Sequence, residues 1–197
     1  MQKFYLFWKR TIDICGSSIG ILLLSPLIIL VSIIIKCTSK GPVFFRQERI
    51  GKHKKIFRIF KFRSMRVDAP EVAPSDMTPE QQKAMEYKWG NIMRKTSLDE
   101  IPQLFNIFLG DMSFIGPRPG AAHNEEELIK LRDSYTPSAY EVRPGLGGLA
   151  QAKMNRDHNP ELKARYDSEY VSHISLWLDT KLFLNTVFGI FGKGKGR

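Results

Sequence analysis

From Ile14 to Ile35 the chain carries no charged residue. A run of that length is sufficient to cross a hydrocarbon core of roughly 30 Å, so it reads as a membrane segment. It is too long for the apolar region of a signal peptide, and Lys36-Cys37-Thr38-Ser39-Lys40 does not resemble a small-residue cleavage site. The segment is therefore expected to stay on the mature protein. Lys3, Lys9 and Arg10 precede it, while Lys36, Lys40, Arg46 and Arg49 follow. An asymmetry of Lys and Arg orients a spanning helix, and here there is little. Near the middle stands Ser25-Pro26, where proline removes a backbone donor and clashes with the carbonyl four residues back. Two geometries fit: a re-entrant helix, broken at Ser25 and Pro26, that enters and leaves by the same face, and a single tilted span with a tolerated kink. The symmetric charges favour the re-entrant one.

The flanks carry the same theme. Phe4, Tyr5, Phe7 and Trp8 interleave with Lys3, Lys9 and Arg10, the mixture expected at headgroup level. Leu176 to Phe191 is apolar, broken by Asp179 and Lys181, and runs into Gly-Lys-Gly-Lys-Gly-Arg. It reads equally as an interfacial helix with a basic tail and as a core helix with a solvated tail. At 197 residues the chain fits one domain, with no second full domain expected. Its net charge of +10 suits nucleic acid, an anionic membrane surface or a polyphosphate substrate. Cys15 and Cys37 stand at opposite ends of the apolar run and fit no metal-ligand spacing, so they read as reduced and structural.

Between Pro42 and Met65 the period changes. Val43-Phe44-Phe45 leads to a turn around Ile50-Gly51-Lys52, after which Ile56, Arg58, Phe60 and Phe62 alternate with Phe57, Ile59, Lys61 and Arg63, the pattern of a β-hairpin. Basic residues interleaved with aromatics can bind single-stranded nucleic acid. A hairpin this close to a membrane segment is better placed to lie on anionic headgroups, with Lys61 and Arg63 within reach of a substrate phosphate. Val67 to Gln82, with Pro70, Pro74 and Pro79, reads as a loop or flap. Ala122 to Tyr135, acidic first and basic later, reads as a helix without chemistry.

Thr96 to Pro119 sets two adjacent carboxylates, Asp99 and Glu100, upstream of Arg118 between two prolines. Carboxylates hold Mg²⁺ or attack as nucleophiles, and a guanidinium fork matches two phosphate oxygens, so the block points to phosphoryl transfer. A plainer reading is a helix cap: Ile101, Leu104, Phe105 and Phe108 recur at helical spacing, and Pro102 would fall in the first turn.

Taken in order, the basic amphipathic amino end, the Ser25-Pro26 interruption, Lys61-Phe62-Arg63-Ser64-Met65, Ser97-Leu98-Asp99-Glu100, Gly110-Asp111-Met112-Ser113 and Gly116-Pro117-Arg118-Pro119 resemble the bacterial sugar transferases, monotopic phosphoglycosyl transferases, over about Lys9 to Leu184. The resemblance is to their minimal catalytic unit, without the additional transmembrane helices of larger members. It implies transfer of a sugar phosphate from a UDP-sugar to a polyprenol (undecaprenyl) phosphate, the first membrane step of bacterial glycan assembly, at the cytoplasmic face of the inner membrane. It also implies Asp99 as nucleophile, Glu100 as its assistant in proton transfer or metal holding, and Mg²⁺ held by Asp99 and Glu100. Arg118, Arg94, Lys61 and Arg143 are the expected phosphate ligands. Gly145, Gln151 and Arg156 are the expected nucleotide and sugar loop. Here the chain departs from the family pattern, with Gly148 and Leu149 where many members have Thr and Trp, and Ala152-Lys153-Met154-Asn155-Arg156 after the Gln.

The expected fold is mainly α with a small β-hairpin (α+β), a re-entrant membrane helix over 1–40 and a cytosolic interfacial catalytic domain over 41–197. Expected partners are a UDP-sugar, a polyprenol phosphate and membrane lipids, with no nucleic acid and with a homodimer compatible. The rival is a non-catalytic, basic membrane-surface adaptor in which Asp99 merely caps a helix.

Overall fold

The apolar run folds as part of one helix, α1, from Gln2 to Thr38. The computed structural model describes residues 2–67, 78, 80, 85, 89–122, 126–154 and 159–192. Most of the loop expected over Val67 to Gln82 and the basic tail 193–197 lie outside the described residues. Among the described residues the chain is α-rich with a small antiparallel hairpin, in line with the expected fold class.

The break expected at Ser25 and Pro26 does not interrupt the helix. Pro26 has no N–H to give to the carbonyl of Leu22, and the Ser25 hydroxyl donates to that same carbonyl at 2.8 Å. The orphaned acceptor is thus satisfied from within the helix. One face of α1 is apolar and outward, with Ile19, Leu22, Leu23, Ile29, Leu30 and Ile33 exposed.

The other face is covered by the rest of the chain along its full length. Tyr5 and Leu6 pack on the cluster around Tyr170 and Leu182, Ile21 and Leu24 on that around Leu104 and Ile107, and Ile28, Val31 and Ile35 on Phe62 and Met93. Past the helix end, Arg63 donates to the carbonyls of Ser39 and Lys40 at 2.9 and 2.6 Å. Arg63, expected near phosphate, is therefore buried against the carbonyl end of α1, where a cation is favoured.

Strands β1 (Phe44–Ile50) and β2 (Ile56–Phe62) pair antiparallel from Phe44↔Phe62 to Ile50↔Ile56. Their connection is a tight turn over Lys52–Lys54 with His53 and Lys54 at positive φ. Behind them run α2 (Gly90–Lys95), a 3-10 turn over Leu98–Glu100, and α3 (Gln103–Leu109). The hairpin is tied to α3 by Asn106, fully buried, whose Oδ1 accepts from Phe60 N at 2.8 Å and whose Nδ2 donates to Arg58 O at 2.9 Å. The side-chain amide replaces a strand partner on β2, so the unmatched backbone groups of that strand are satisfied.

Strand β3 (Ser113–Ile115) pairs in parallel with β4 (Gly145–Gly147), and the crossover between them contains α4 (Glu126–Ser134), the helix expected in Ala122 to Tyr135. A Cβ on Gly145 would stand 2.0 Å from the backbone nitrogen of Gly116, so only glycine fits where these strands cross. Then come α5 (Leu149–Met154), α6 (Pro160–Ser172) and α7 (Leu176–Gly192).

Helix α7 has one buried face, as its core-helix reading expects, and one exposed apolar face. Trp177 and Phe188 are exposed while Leu182 and Asp179 are buried. Asp179 accepts from Lys9 Nζ and Tyr5 OH, each at 2.6 Å, and from Tyr170 OH at 2.7 Å. Lys9, expected among headgroups, is instead turned inward. A buried ammonium is tolerated because a carboxylate meets it.

Candidate functional site

The chain leaves α2 through Ser97, a non-glycine residue in the left-handed region at φ 56. That sharp change of direction sets Leu98–Glu100 as its own 3-10 turn, with Glu100 N donating back to Ser97 O at 3.1 Å. Pro102, not Asp99, is the N-cap of α3, and no side chain caps that helix. The capping reading of Asp99 is therefore not what the geometry shows.

Four expected site residues meet here. Glu100 Oε1 accepts from Lys61 Nζ on β2 and from Arg118 Nη2 in the loop after β3, both at 2.8 Å. Burial opposes the charge on Glu100, but Arg118 and Lys61 outweigh it and hold its carboxyl well below the usual carboxylate range. Asp99 goes the other way. Burial raises its carboxyl to about 6, with Glu100 adding to the rise and Lys61 and Arg118 opposing it. Adjacent carboxylates are thus driven apart: one is a fixed anion clamped by two cations, the other a poised group near neutrality.

Arg94 adjoins the carboxylate turn, and the other expected residues make contacts of their own. Arg94 occupies the last turn of α2, its carbonyl accepting from Ser97 N at 3.3 Å. Arg143 donates through Nε to Gly110 O at 2.8 Å. That carbonyl is just past the end of α3 far from the carboxylate turn. There Arg143 joins Arg10, which donates to the carbonyls of Ile107 and Phe108 at 2.6 and 2.8 Å, as cations on a helix C-terminus. Gly145 N donates to Pro117 O at 2.9 Å, so its N–H serves the β3–β4 junction. Gln151 is exposed on α5 and donates to Leu146 O at 3.3 Å. Arg156 lies outside the described residues.

Among the described residues no group of three or more His, Cys, Asp or Glu side chains gathers to hold a metal. The pair nevertheless fits Mg²⁺. This ion is held by one or two carboxylates together with substrate phosphates, not by an all-protein cage. Glu100 binds both cations through Oε1, leaving Oε2, and no side-chain donor occupies the Asp99 carboxylate among the described residues. Those are hard oxygen donors of the right kind.

Three buried polar residues that tie elements together escaped the sequence reading. Asn106 was legible in principle as a polar residue inside the apolar run Leu104 to Leu109. Asp13, on α1, accepts from Ser113 Oγ at 3.0 Å and Phe114 N at 3.1 Å and so fixes β3 to α1. Arg132, in the helix credited with no chemistry, is buried and bonded to Asp167. Neither of the last two has a local signal, because their partners lie far away in sequence.

A long apolar helix is laid along the domain, which presents a carboxylate pair of which one member, Glu100, is held by two cations. The chain belongs to the bacterial sugar transferase family, whose model matches residues 4–193. It is 38% identical over 188 residues to UDP-glucose:undecaprenyl-phosphate glucose-1-phosphate transferase of Klebsiella pneumoniae, covering 93% of this chain and 40% of that protein. It is 35% identical over 189 residues to UDP-N-acetylgalactosamine-undecaprenyl-phosphate N-acetylgalactosaminephosphotransferase of Aeromonas hydrophila, covering 93% and 43%. With exopolysaccharide production protein PSS of Rhizobium leguminosarum bv. phaseoli it shares 36% identity over 199 residues, covering 97% and 98%. The chain thus spans less than half the length of the first two and nearly all of the third.

Proposed function

We propose that the protein is a phosphoglycosyl transferase that moves a sugar phosphate from a UDP-sugar to a polyprenol phosphate at the cytoplasmic face of the bacterial inner membrane. Family membership gives the reaction class, and the Asp99–Glu100–Lys61–Arg118 cluster is the observation that carries the site. An Asp99 oxygen attacks the β-phosphorus of the UDP-sugar, and the bond from that phosphorus to the bridging oxygen breaks. UMP leaves with the electron pair, and the sugar phosphate stays on Asp99. An oxygen of the polyprenol phosphate then attacks the same phosphorus, freeing the Asp99 carboxylate and forming a polyprenol diphosphate sugar. Lys61 and Arg118 keep Glu100 ionised, and Arg118 extends the positive field toward the diphosphate. Asp99 and Glu100 would hold Mg²⁺, which would supply neutralisation of the phosphate charge that otherwise repels an attacking carboxylate.

The packing of α1 supports a monotopic arrangement. A span needs about 20 consecutive residues surrounded by lipid or by other membrane segments. Here contacts with the domain recur from Tyr5 to Ile35, so a crossing would carry much of the domain into the bilayer. On this reading, a helix bedded on the domain by one face and in lipid by the other would bring the carboxylate turn to where lipid phosphate meets cytosol.

The relatives named for glucose and for N-acetylgalactosamine leave the sugar open. Incubating purified protein with undecaprenyl phosphate, Mg²⁺ and a panel of UDP-sugars should release UMP with at least one of them. Absence of UMP across the panel would overturn the reading.

A further inference from the structure

A buried guanidinium is costly unless its arms are matched, and Arg132 on α4 uses its arms in two directions. Its Nε donates to Asp167 Oδ2 on α6 at 3.0 Å, and Nη2 donates to the same oxygen. That nitrogen also donates, at 2.9 Å, to the backbone carbonyl of Arg118. The two side chains are only 2% and 1% exposed. Fastening α4 to α6 needs only the contact with Asp167. The third bond reaches out of the helix pair to the main chain of the residue whose side chain grips Glu100.

Pro117 and Pro119 fix φ on either side of Arg118. The Pro117 carbonyl is held by Gly145 N, and a hydrogen bond from Arg132 to the Arg118 carbonyl pins the following peptide plane as well, which is itself rigid. The Cα–Cβ direction of Arg118 is then determined, so its guanidinium is delivered to Glu100 without a search. We propose that Arg132, braced by Asp167, is a positioning residue for the transfer reaction: by holding the Arg118 main chain it aims the Arg118 guanidinium at Glu100 and at the substrate diphosphate. The proposal rests on the reading of Arg118 as a phosphate ligand.

Two variants separate aiming from packing. Arg132→Lys keeps the charge opposite Asp167, but an ammonium lacks the planar fork that spans two acceptors. The pair Arg132→Met with Asp167→Leu removes both charges together, a replacement that is often neutral for stability. Both variants are expected to melt within about 5 °C of the unaltered protein. UMP release should nevertheless fall by about tenfold or more, as small misplacements of positioning groups do. A folded variant with unaltered turnover overturns the proposal. Crystal structures of both variants give a reading that needs no turnover: the Arg118–Glu100 contact should be lost, and its persistence overturns the proposal equally. Failure of the unaltered protein to release UMP would sink the functional reading instead, and the crystallographic comparison still decides the role of Arg132.

Discussion

Asp99 carries a charge that the fold works against, and this has consequences that can be measured separately. Its carboxyl is raised by burial from the ordinary 3.8 to about 6, so ionised Asp99 opposes folding. That cost is fully present above about pH 6 and disappears as the pH falls toward 3.8. Asp99→Asn should therefore stabilise the protein by on the order of 2 kcal/mol at pH 8, with the gain shrinking toward pH 4, as read by denaturant melts in detergent. The same variant should lose UMP release by about a thousandfold or more, since an amide cannot serve as the nucleophile. Retained turnover would remove the covalent assignment. Turnover of the unaltered protein should rise as the pH passes about 6, where Asp99 ionises. In Lys61→Met that limb should lie at higher pH, because Lys61 is the strongest of the groups holding the carboxyl down. A pH–rate profile indifferent to Lys61 would count against the electrostatic account.

At the scale of elements, β3 and β4 are the frame from which Arg118 is presented. They approach so closely that a methyl group at Gly145 meets the backbone of Gly116. Backbone atoms cannot rotate aside as a side-chain tip can, so Gly145→Ala should cost about 2 kcal/mol or more and reduce turnover with it. A melt and a UMP assay on one preparation would check both, and a stable Gly145→Ala protein would show that the strands can separate. The latch between α1 and α7 makes a different demand. Lys9→Met leaves the Asp179 carboxylate buried with only the Tyr5 and Tyr170 hydroxyls, and breaking a buried pair from one side costs about 3–5 kcal/mol. Thermal unfolding should fall accordingly, and an unchanged melt would mean that water reaches Asp179 when Lys9 is gone.

For the whole molecule the decisive question is which side of the membrane each end of α1 occupies. If α1 is bedded on the domain along its length, cysteines introduced at Lys3 and at Lys54 should be labelled by an impermeant reagent from the same side. Cys15 and Cys37 are exposed and must be replaced first. Labelling from opposite sides would restore the spanning helix. The exposed apolar residues on α1 and α7, together with the +10 net charge, predict that binding to anionic vesicles weakens at high salt without being abolished. Complete release by salt would mean that the apolar surface is not inserted.

The sequence by itself determined what depends on neighbours along the chain. The uncharged run from Ile14 to Ile35 dictated a long apolar helix, and alternation between Phe44 and Phe62 dictated a hairpin. The ordered motifs dictated the family. Only the tertiary structure decided which charges face which. Lys9, Asp13, Arg63, Arg132 and Asp179 look like ordinary surface residues in sequence, and each is buried beside a distant partner. The same holds for the pair at the centre. Asp99 and Glu100 are chemically alike and adjacent, and what drives their carboxyls apart is that Lys61 from β2 and Arg118 from the loop after β3 both land on Glu100. Charge in a partly buried site is governed by distance and desolvation, and neither is written in the order of residues.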